Sequence, residues 1–392
     1  MYPRVSDIIN DFLGTDILLP VQTFGFFVAV AFMVAYFVLK WELSRMESLG
    51  YFPTRKQKVK VGGPIKLQEV LISLLVWALV GYKLGLMFED YGSFARNPQA
   101  ALLSTDGSAL WAILFGAVGG GFRFYEYQKR KNTKAKTEEV TRGIRDELGA
   151  VLTIAFVAGI LGAKIFHNLE YWDDFIANPI EALFSFSGLT FYGGLICAGL
   201  GIAWYIHKQG YEVLPFADAV APALMLSYGV GRIGCQLAGD GDWGIPNPAP
   251  KPDWLSWLPD WMWAFDYPGN VIGAGEPIPG CTGEFCTHLV PPVFPTPFYE
   301  VLMSLLIFAI LWSLRKRLKY WGQMFATFLF FNGLERFLIE KIRVNSKYHI
   351  FGAEITQAEI ISALLMIAGI AMFILATTRW KKTGPPPASQ SG

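Results

Sequence analysis

The chain has 392 residues, 53% hydrophobic and only 17% charged, with a formal net charge of +1. A net charge this close to zero supplies no global field for binding nucleic acid. Apolar runs of about 20 residues recur along the whole length, the pattern of an all-α polytopic membrane protein.

In chain order these runs predict nine membrane-spanning helices, at 21–39, 67–88, 109–126, 149–168, 189–206, 213–237, 298–314, 321–342 and 357–377. The first begins near Val21 after a mixed, partly acidic stretch. That stretch has neither a basic region nor a small-residue cleavage site, so no cleavable signal peptide is expected. Of the 33 Lys and Arg residues, 22 fall on one side of the predicted topology, five on the other and six inside spans. By the positive-inside rule the N-terminus faces outward and the C-terminus lies in the cytoplasm. Residues 1–378 form a single transmembrane domain, and 379–392 are expected to be a disordered cytoplasmic tail.

Two stretches repeat without a gap. Gly81-Tyr-Lys83 returns as Gly162-Ala-Lys164. The run from Arg96 to Ser104 returns from Ala177 to Ser185, keeping Asn-Pro, Ala-Leu and Ser in place. Gly107 and Gly120 return as Gly188 and Gly201, again at an offset of 81. Segments 67–126 and 148–207 therefore read as a tandem repeat of one two-helix unit. Chance similarity between apolar helices does not account for a match that continues through a polar loop.

Segment 238–297 is too rich in Pro and Gly to span, and it is expected on the periplasmic side. It holds Trp254, Trp257, Trp261 and Trp263, a density typical of a membrane–water interface. A short helix lying on the outer leaflet is expected at 253–264. Cys281 and Cys286 are placed for a disulfide if this side is oxidising. They do not suggest a metal site, because His288 is the only imidazole nearby. Cys197 and Cys235 fall in spans, where small apolar packing is their ordinary role. No cofactor is expected.

Lys83, Arg123, Lys164, Arg232, Arg336 and Lys341 fall inside the predicted spans. Arg123 sits at a cytoplasmic end and can snorkel. The other five share the outer half of the membrane, where a cluster of cations suits an anionic phospholipid headgroup. Arg232 stands between Gly231 and Gly234, glycines that permit close backbone approach or an opening of the helix. Arg336, Glu340 and Arg343 have spacings of four and three, which predicts three charges on one helical face. A structural ladder of ion pairs is the simpler account of that set.

Four stretches, in order, resemble the bacterial prolipoprotein diacylglyceryl transferase family. Gly188 to Ile196, with Gly193 and Gly194, is similar to its S-F-H-G-G-L-I-G turn. Gly229 to Gly244 is similar to its G-R-x-G-N-F-x-N-x-E-x-x-G signature. Pro295 to Glu300, with Tyr299, resembles H-P-x-Q-L-Y-E. Asn332 to Arg343 resembles F-R-x-x-x-E-F-x-R. The resemblance covers about 20–40 and 148–378, and it makes 60–145 an inserted copy of the repeat.

The resemblance implies an enzyme of the bacterial inner membrane that moves diacylglycerol from phosphatidylglycerol to a lipobox cysteine of a preprolipoprotein signal peptide. Its partners would be these two substrates and membrane lipids, not nucleic acid. It implies Arg232 and Arg336 as the essential arginines. Gly193, Gly194, Gly231, Gly234, Gly244, Tyr299, Glu300, Glu340 and Arg343 would then line or support the lipid site. The chain departs from the pattern where protons are handled. Tyr192 replaces a histidine, Cys235 an asparagine, Phe294 a histidine and Pro297 a glutamine, while Phe24 stands for a first-span tyrosine. Ile160 replaces an arginine, for which Lys164 is the nearest substitute cation, and His167 is the nearest substitute base. A paralogue that binds phospholipid but acts on another acceptor, or on none, is the alternative. A solute transporter is disfavoured, because the two repeat units begin on the same side rather than inverted.

Overall fold

The computed structural model describes residues 1–96, 98–184, 190–344, 347–350 and 353–383. Asn97, Ser185 and Gly188 of the repeat, the start of the glycine-rich turn and the tail from 384 lie outside the described residues. An N-terminal helix α1 (Val5–Leu13) precedes α2 (Thr23–Ser48) and strand β1 (Arg55–Val61). Then come α3 (Leu67–Glu89), the short α4 (Tyr91–Arg96) and α5 (Pro98–Leu103), and α6 (Ala109–Arg130). Strand β2 (Lys136–Arg142) leads into α7 (Leu148–Glu170), α8 (Trp172–Ala177), α9 (Pro179–Phe184) and α10 (Phe191–Lys208). Helix α11 (Val213–Ala238) is followed by a long segment with two-residue strands β3 (Glu276–Pro277) and β4 (Thr287–His288). Helices α12 (Thr296–Leu314) and α13 (Gln323–Glu340), strands β5 (Lys347–Ile350) and β6 (Ala353–Thr356), and α14 (Gln357–Thr383) complete the chain.

Each of the nine predicted spans corresponds to a long helix, and the chain is an all-α multi-pass membrane protein. Helices α2, α3, α7, α11, α12 and α14 are long and apolar enough to cross a membrane. Helices α6, α10 and α13 fall outside that group, and α13 carries Glu335, Arg336 and Glu340 among its 18 residues. Helix α14 continues through 379–383, residues expected to lie in the tail.

The elements α3, α4 and α5 recur 81 positions later as α7, α8 and α9, with the same first and last positions. Each unit folds back on itself as a hairpin, α3 against α6 and α7 against α10. Glycine makes both crossings possible. A Cβ at Gly81 would lie 2.3 Å from the Trp111 carbonyl oxygen, and one at Gly162 would lie 2.5 Å from that of Gly193. The first hairpin enters and leaves through the antiparallel ribbon β1–β2, in which Arg55 pairs with Arg142 and Val61 with Lys136. Its apolar surface, including Leu71, Ile72, Leu75, Leu79, Ile113 and Val118, is exposed, as suits side chains solvated by lipid.

Helix α11 is the axis of the rest, packing on α2, α12 and α13. One apolar cluster joins α2, α7 and the first turns of α11 through Leu39, Leu43, Leu148, Val151, Phe216 and Ala219. A second joins α11, α12 and the start of α13 through Ala221, Met225, Ile307, Leu311 and Met324. Asp218 on α11 accepts hydrogen bonds from the Gly322 and Phe325 amides at 2.6 and 2.8 Å, which caps α13. This contact fixes the register of α13 against α11.

The helix expected at 253–264 is replaced by two separate 3₁₀ turns, Asp253–Leu255 and Asp260–Met262. Pro259 lies between them, lacks an amide donor and disfavours helical geometry at Leu258. Trp254 and Trp257 are nevertheless 75% exposed, as interface side chains would be. Cys281 and Cys286 are joined as a disulfide. The loop they close is docked by Arg4, which pairs with Glu284 at 2.6 Å and stacks over Phe285.

Candidate functional site

Helix α11 runs unbroken through Arg232, so Gly229 and Gly234 serve close packing rather than an opened helix. A Cβ at Gly229 would lie 2.9 Å from Ser304 on α12, and one at Gly234 would lie 2.8 Å from Phe27 on α2. Gly231 faces open space. At the helix end Gly239 adopts φ 64°, and its amide donates to the Cys235 carbonyl at 3.0 Å. Side chains rarely adopt that conformation. The chain then doubles back through Gly241 (φ 98°), which sets Asp242 beside Arg232.

Gly244 is where the two signature stretches meet. Its amide donates to Phe294 and the next amide donates to Ile342, at 2.9 and 2.8 Å, while Gly244 bridges to Arg343. A Cβ there would lie 2.4 Å from the Ile342 carbonyl oxygen. This contact draws the residues after α13 onto those after α11. Arg343 therefore does not extend a ladder along α13, which ends at Glu340. It turns toward Asp242 and Glu300 instead.

Three arginines converge as a result. Arg232 pairs through Nη1 with Asp242 Oδ2 and through Nε with Glu300 Oε2 at 2.9 Å. Arg343 pairs through Nη2 with Asp242 Oδ1 and through Nη1 with Glu300 Oε1 at 3.5 Å. Arg336 lies 3.6 Å from Glu300 Oε1 and 3.2 Å from Glu340 Oε2. The Glu300 side chain is fully buried, and Tyr228 donates to it at 3.2 Å while its ring lies beneath the Arg232 guanidinium. Burial works against the Asp242 charge, yet the Arg232 and Arg343 guanidiniums outweigh it and hold that carboxyl below the usual range. Burial and the neighbouring Asp242 charge push Asp240 the other way, upward. Cys235 joins these two aspartates within 4.8 Å, although both Asp242 oxygens are engaged by arginine.

The other predicted site residues are dispersed. Tyr192 on α10 lies in the electrostatic surroundings of Arg336. Gly193 and Gly194 close the crossing of α10 on α7. Tyr299 donates to the Met262 carbonyl at 2.8 Å, on the side of the 3₁₀ turns. Lys164 is buried on α7. His167 packs its ring 4.7 Å from Tyr171, and no hydrogen bond or ion pair joins it to the arginines among the described residues. The predicted five-cation cluster separates: Lys83 donates to the Ser104 and Asp106 carbonyls, and Lys341 pairs with Glu359.

Asp242, Tyr228 and Glu335 complete the cluster without having been assigned a role by sequence spacing. The Glu335 side chain is 2% exposed on α13, and neither of its oxygens has a hydrogen-bond partner among the described residues.

A family model described as prolipoprotein diacylglyceryl transferase matches residues 114–375. The chain is similar to the phosphatidylglycerol–prolipoprotein diacylglyceryl transferase of Corynebacterium glutamicum, at 34% identity over 57% of this chain and 67% of that protein. Proteins of the same name are similar at 30% identity in Vibrio vulnificus, over 60% of this chain and 77% of the relative, and at 26% in Dehalococcoides mccartyi, over 62% and 84%. With the family match spanning the whole arginine cluster and the helices that build it, this chain belongs to the prolipoprotein diacylglyceryl transferase family.

Proposed function

We propose that the chain transfers diacylglycerol from phosphatidylglycerol to the lipobox cysteine of a preprolipoprotein signal peptide, in the bacterial inner membrane. The observation that carries this reading is the convergence of Arg232, Arg336 and Arg343 on one buried carboxylate, Glu300. The basic loops orient the cluster toward the periplasmic leaflet. Guanidiniums match a phosphodiester with pairs of parallel donors.

In the reaction the cysteine sulfur attacks the glycerol carbon that bears the phosphate. The new C–S bond forms as the C–O bond to phosphate breaks, and glycerol phosphate leaves. The thiol proton passes to a base or to the departing phosphate. Arg232 and Arg336 stabilise the charge that grows on the leaving oxygen, and they are already oriented before the reaction begins. Glu300 and Glu340 hold those arginines in place. The two repeat units are proposed to be a duplication, with the first hairpin as the added copy.

The alternative of a lipid-binding paralogue with altered acceptor chemistry draws on Tyr192 and Cys235, and on the lack of an imidazole joined to the cluster among the described residues. Complementation separates the readings. A strain depleted of its own transferase should grow when this chain is expressed and should mature its lipoproteins. Normal expression without rescue would exclude the standard reaction.

A further inference from the structure

The arginine cluster is already occupied from within. Arg232 takes one oxygen of the Asp242 carboxylate and Arg343 takes the other. We propose that Asp242 is an internal stand-in for the substrate phosphate, held between Arg232 and Arg343 until the lipid phosphodiester displaces it. This inference rests on the phosphate-binding reading above.

Four observations carry it. A phosphodiester, like a carboxylate, presents two equivalent anionic oxygens, and each would meet one guanidinium where Asp242 now does. Asp242 is also the acid best able to leave. Its side chain is 31% exposed, whereas those of Glu300 and Glu340 are fully buried on α12 and α13. The backbone need not follow, since Thr296 Oγ1 donates to the Asp242 carbonyl at 2.7 Å and anchors it. A rotation about the side-chain bonds therefore suffices.

Charge supplies the fourth. Among the described residues, the ion pairs of Arg232, Arg336 and Arg343 are with Asp242, Glu300 and Glu340, three against three, and a further acid, Glu335, lies buried beside them. Adding a phosphodiester to that set would leave an excess anion in a poorly solvated site. Exchanging one anion for another keeps the balance and returns Asp242 to water. Before the lipid arrives, the carboxylate keeps the arginines aimed and raises the threshold for weaker anions.

The test uses the full chain in nanodiscs, with phosphatidylglycerol as donor, a lipobox peptide as acceptor and glycerol phosphate as a free competitor. Asp242→Asn removes the charge and keeps the shape. KM for phosphatidylglycerol should fall by about tenfold, the gain from freeing a site that is about nine-tenths self-occupied. Glycerol phosphate should inhibit at correspondingly lower concentration. Asp242→Ser, which is smaller and also uncharged, should show the same two shifts.

An unchanged or raised KM alongside lower kcat would make Asp242 a support for the arginines and overturn the proposal. So would failure of both variants to fold. If the wild-type chain neither binds nor converts phosphatidylglycerol, the reading of the site fails and the stand-in fails with it. Normal wild-type turnover without an affinity gain in either variant removes the stand-in alone.

Discussion

Arg232 Nε lies 2.9 Å from Glu300 Oε2, so a helix signature and a second motif 68 residues later meet in one ion pair. Arg336 and Arg343 address the other oxygen of the same carboxylate. Glu300 is thus the counter-charge for three arginines. Glu300→Gln keeps the shape and removes that charge. Breaking a buried pair from one side costs about 3–5 kcal/mol, because the partner charge is left unpaired. The variant should melt markedly lower in detergent and lose transfer. A wild-type melting temperature would show that the arginines find their compensation elsewhere.

Arg336 makes a different kind of contact. It pairs with Glu340 one turn along its own helix and reaches Glu300 from the side. If it also serves the leaving phosphate, a cation alone is not enough. Arg336→Lys keeps the charge but loses the planar fork. Transfer should drop by about 10²–10³-fold, the usual cost of one oriented donor, with little change in melting temperature. Wild-type turnover in this variant would confine Arg336 to the ion-pair network.

Much of this was legible from the sequence because two signals are local. Apolar run length marks each long helix, and glycine marks where α3 meets α6 and α7 meets α10. The importance of Arg232 and Arg336 was legible too, since an arginine inside an apolar run is costly enough to need a reason. What stayed hidden depends on where the chain goes after a helix ends. Helical spacing put Arg343 on the face of Arg336 and Glu340, but α13 stops at Glu340. The Gly244 bridge then carries Arg343 to Asp242. Nothing in the spacing of Asp242 announces that contact, because it depends on a return through Gly239 and Gly241. In the same way, Pro259 broke a helix that four tryptophans had suggested.

Glu335 sits beside Arg336 where the family pattern carries phenylalanine. Buried at 2% exposure with neither oxygen hydrogen-bonded among the described residues, it costs desolvation without a matching return. An orphaned buried polar group costs about 1–3 kcal/mol. Glu335→Met fills a similar volume with apolar atoms, so thermal stability in detergent should rise by about that amount. A fall instead would mean that Glu335 acts as a fourth counter-charge to the arginines.

Asp240 and Asp242 stand two residues apart and should titrate with opposite effects on stability. An ordinary aspartate titrates near pH 3.9. Burial and the charge of Asp242 raise Asp240 above that value, so ionising Asp240 costs the folded state. The cost is absent below about pH 4 and grows until the pH passes the raised value. Asp242 is lowered, the two arginines outweighing its burial, so it stabilises the fold above about pH 4. That contribution is lost as the pH falls through its lowered value. Asp240→Asn should therefore melt like the wild type near pH 4 and higher than it at pH 7. Asp242→Asn should melt lower than the wild type at pH 7, with the gap closing in acid. Melting curves of both variants across this range decide the matter, and parallel trends in the two would reject the assignment of opposite environments.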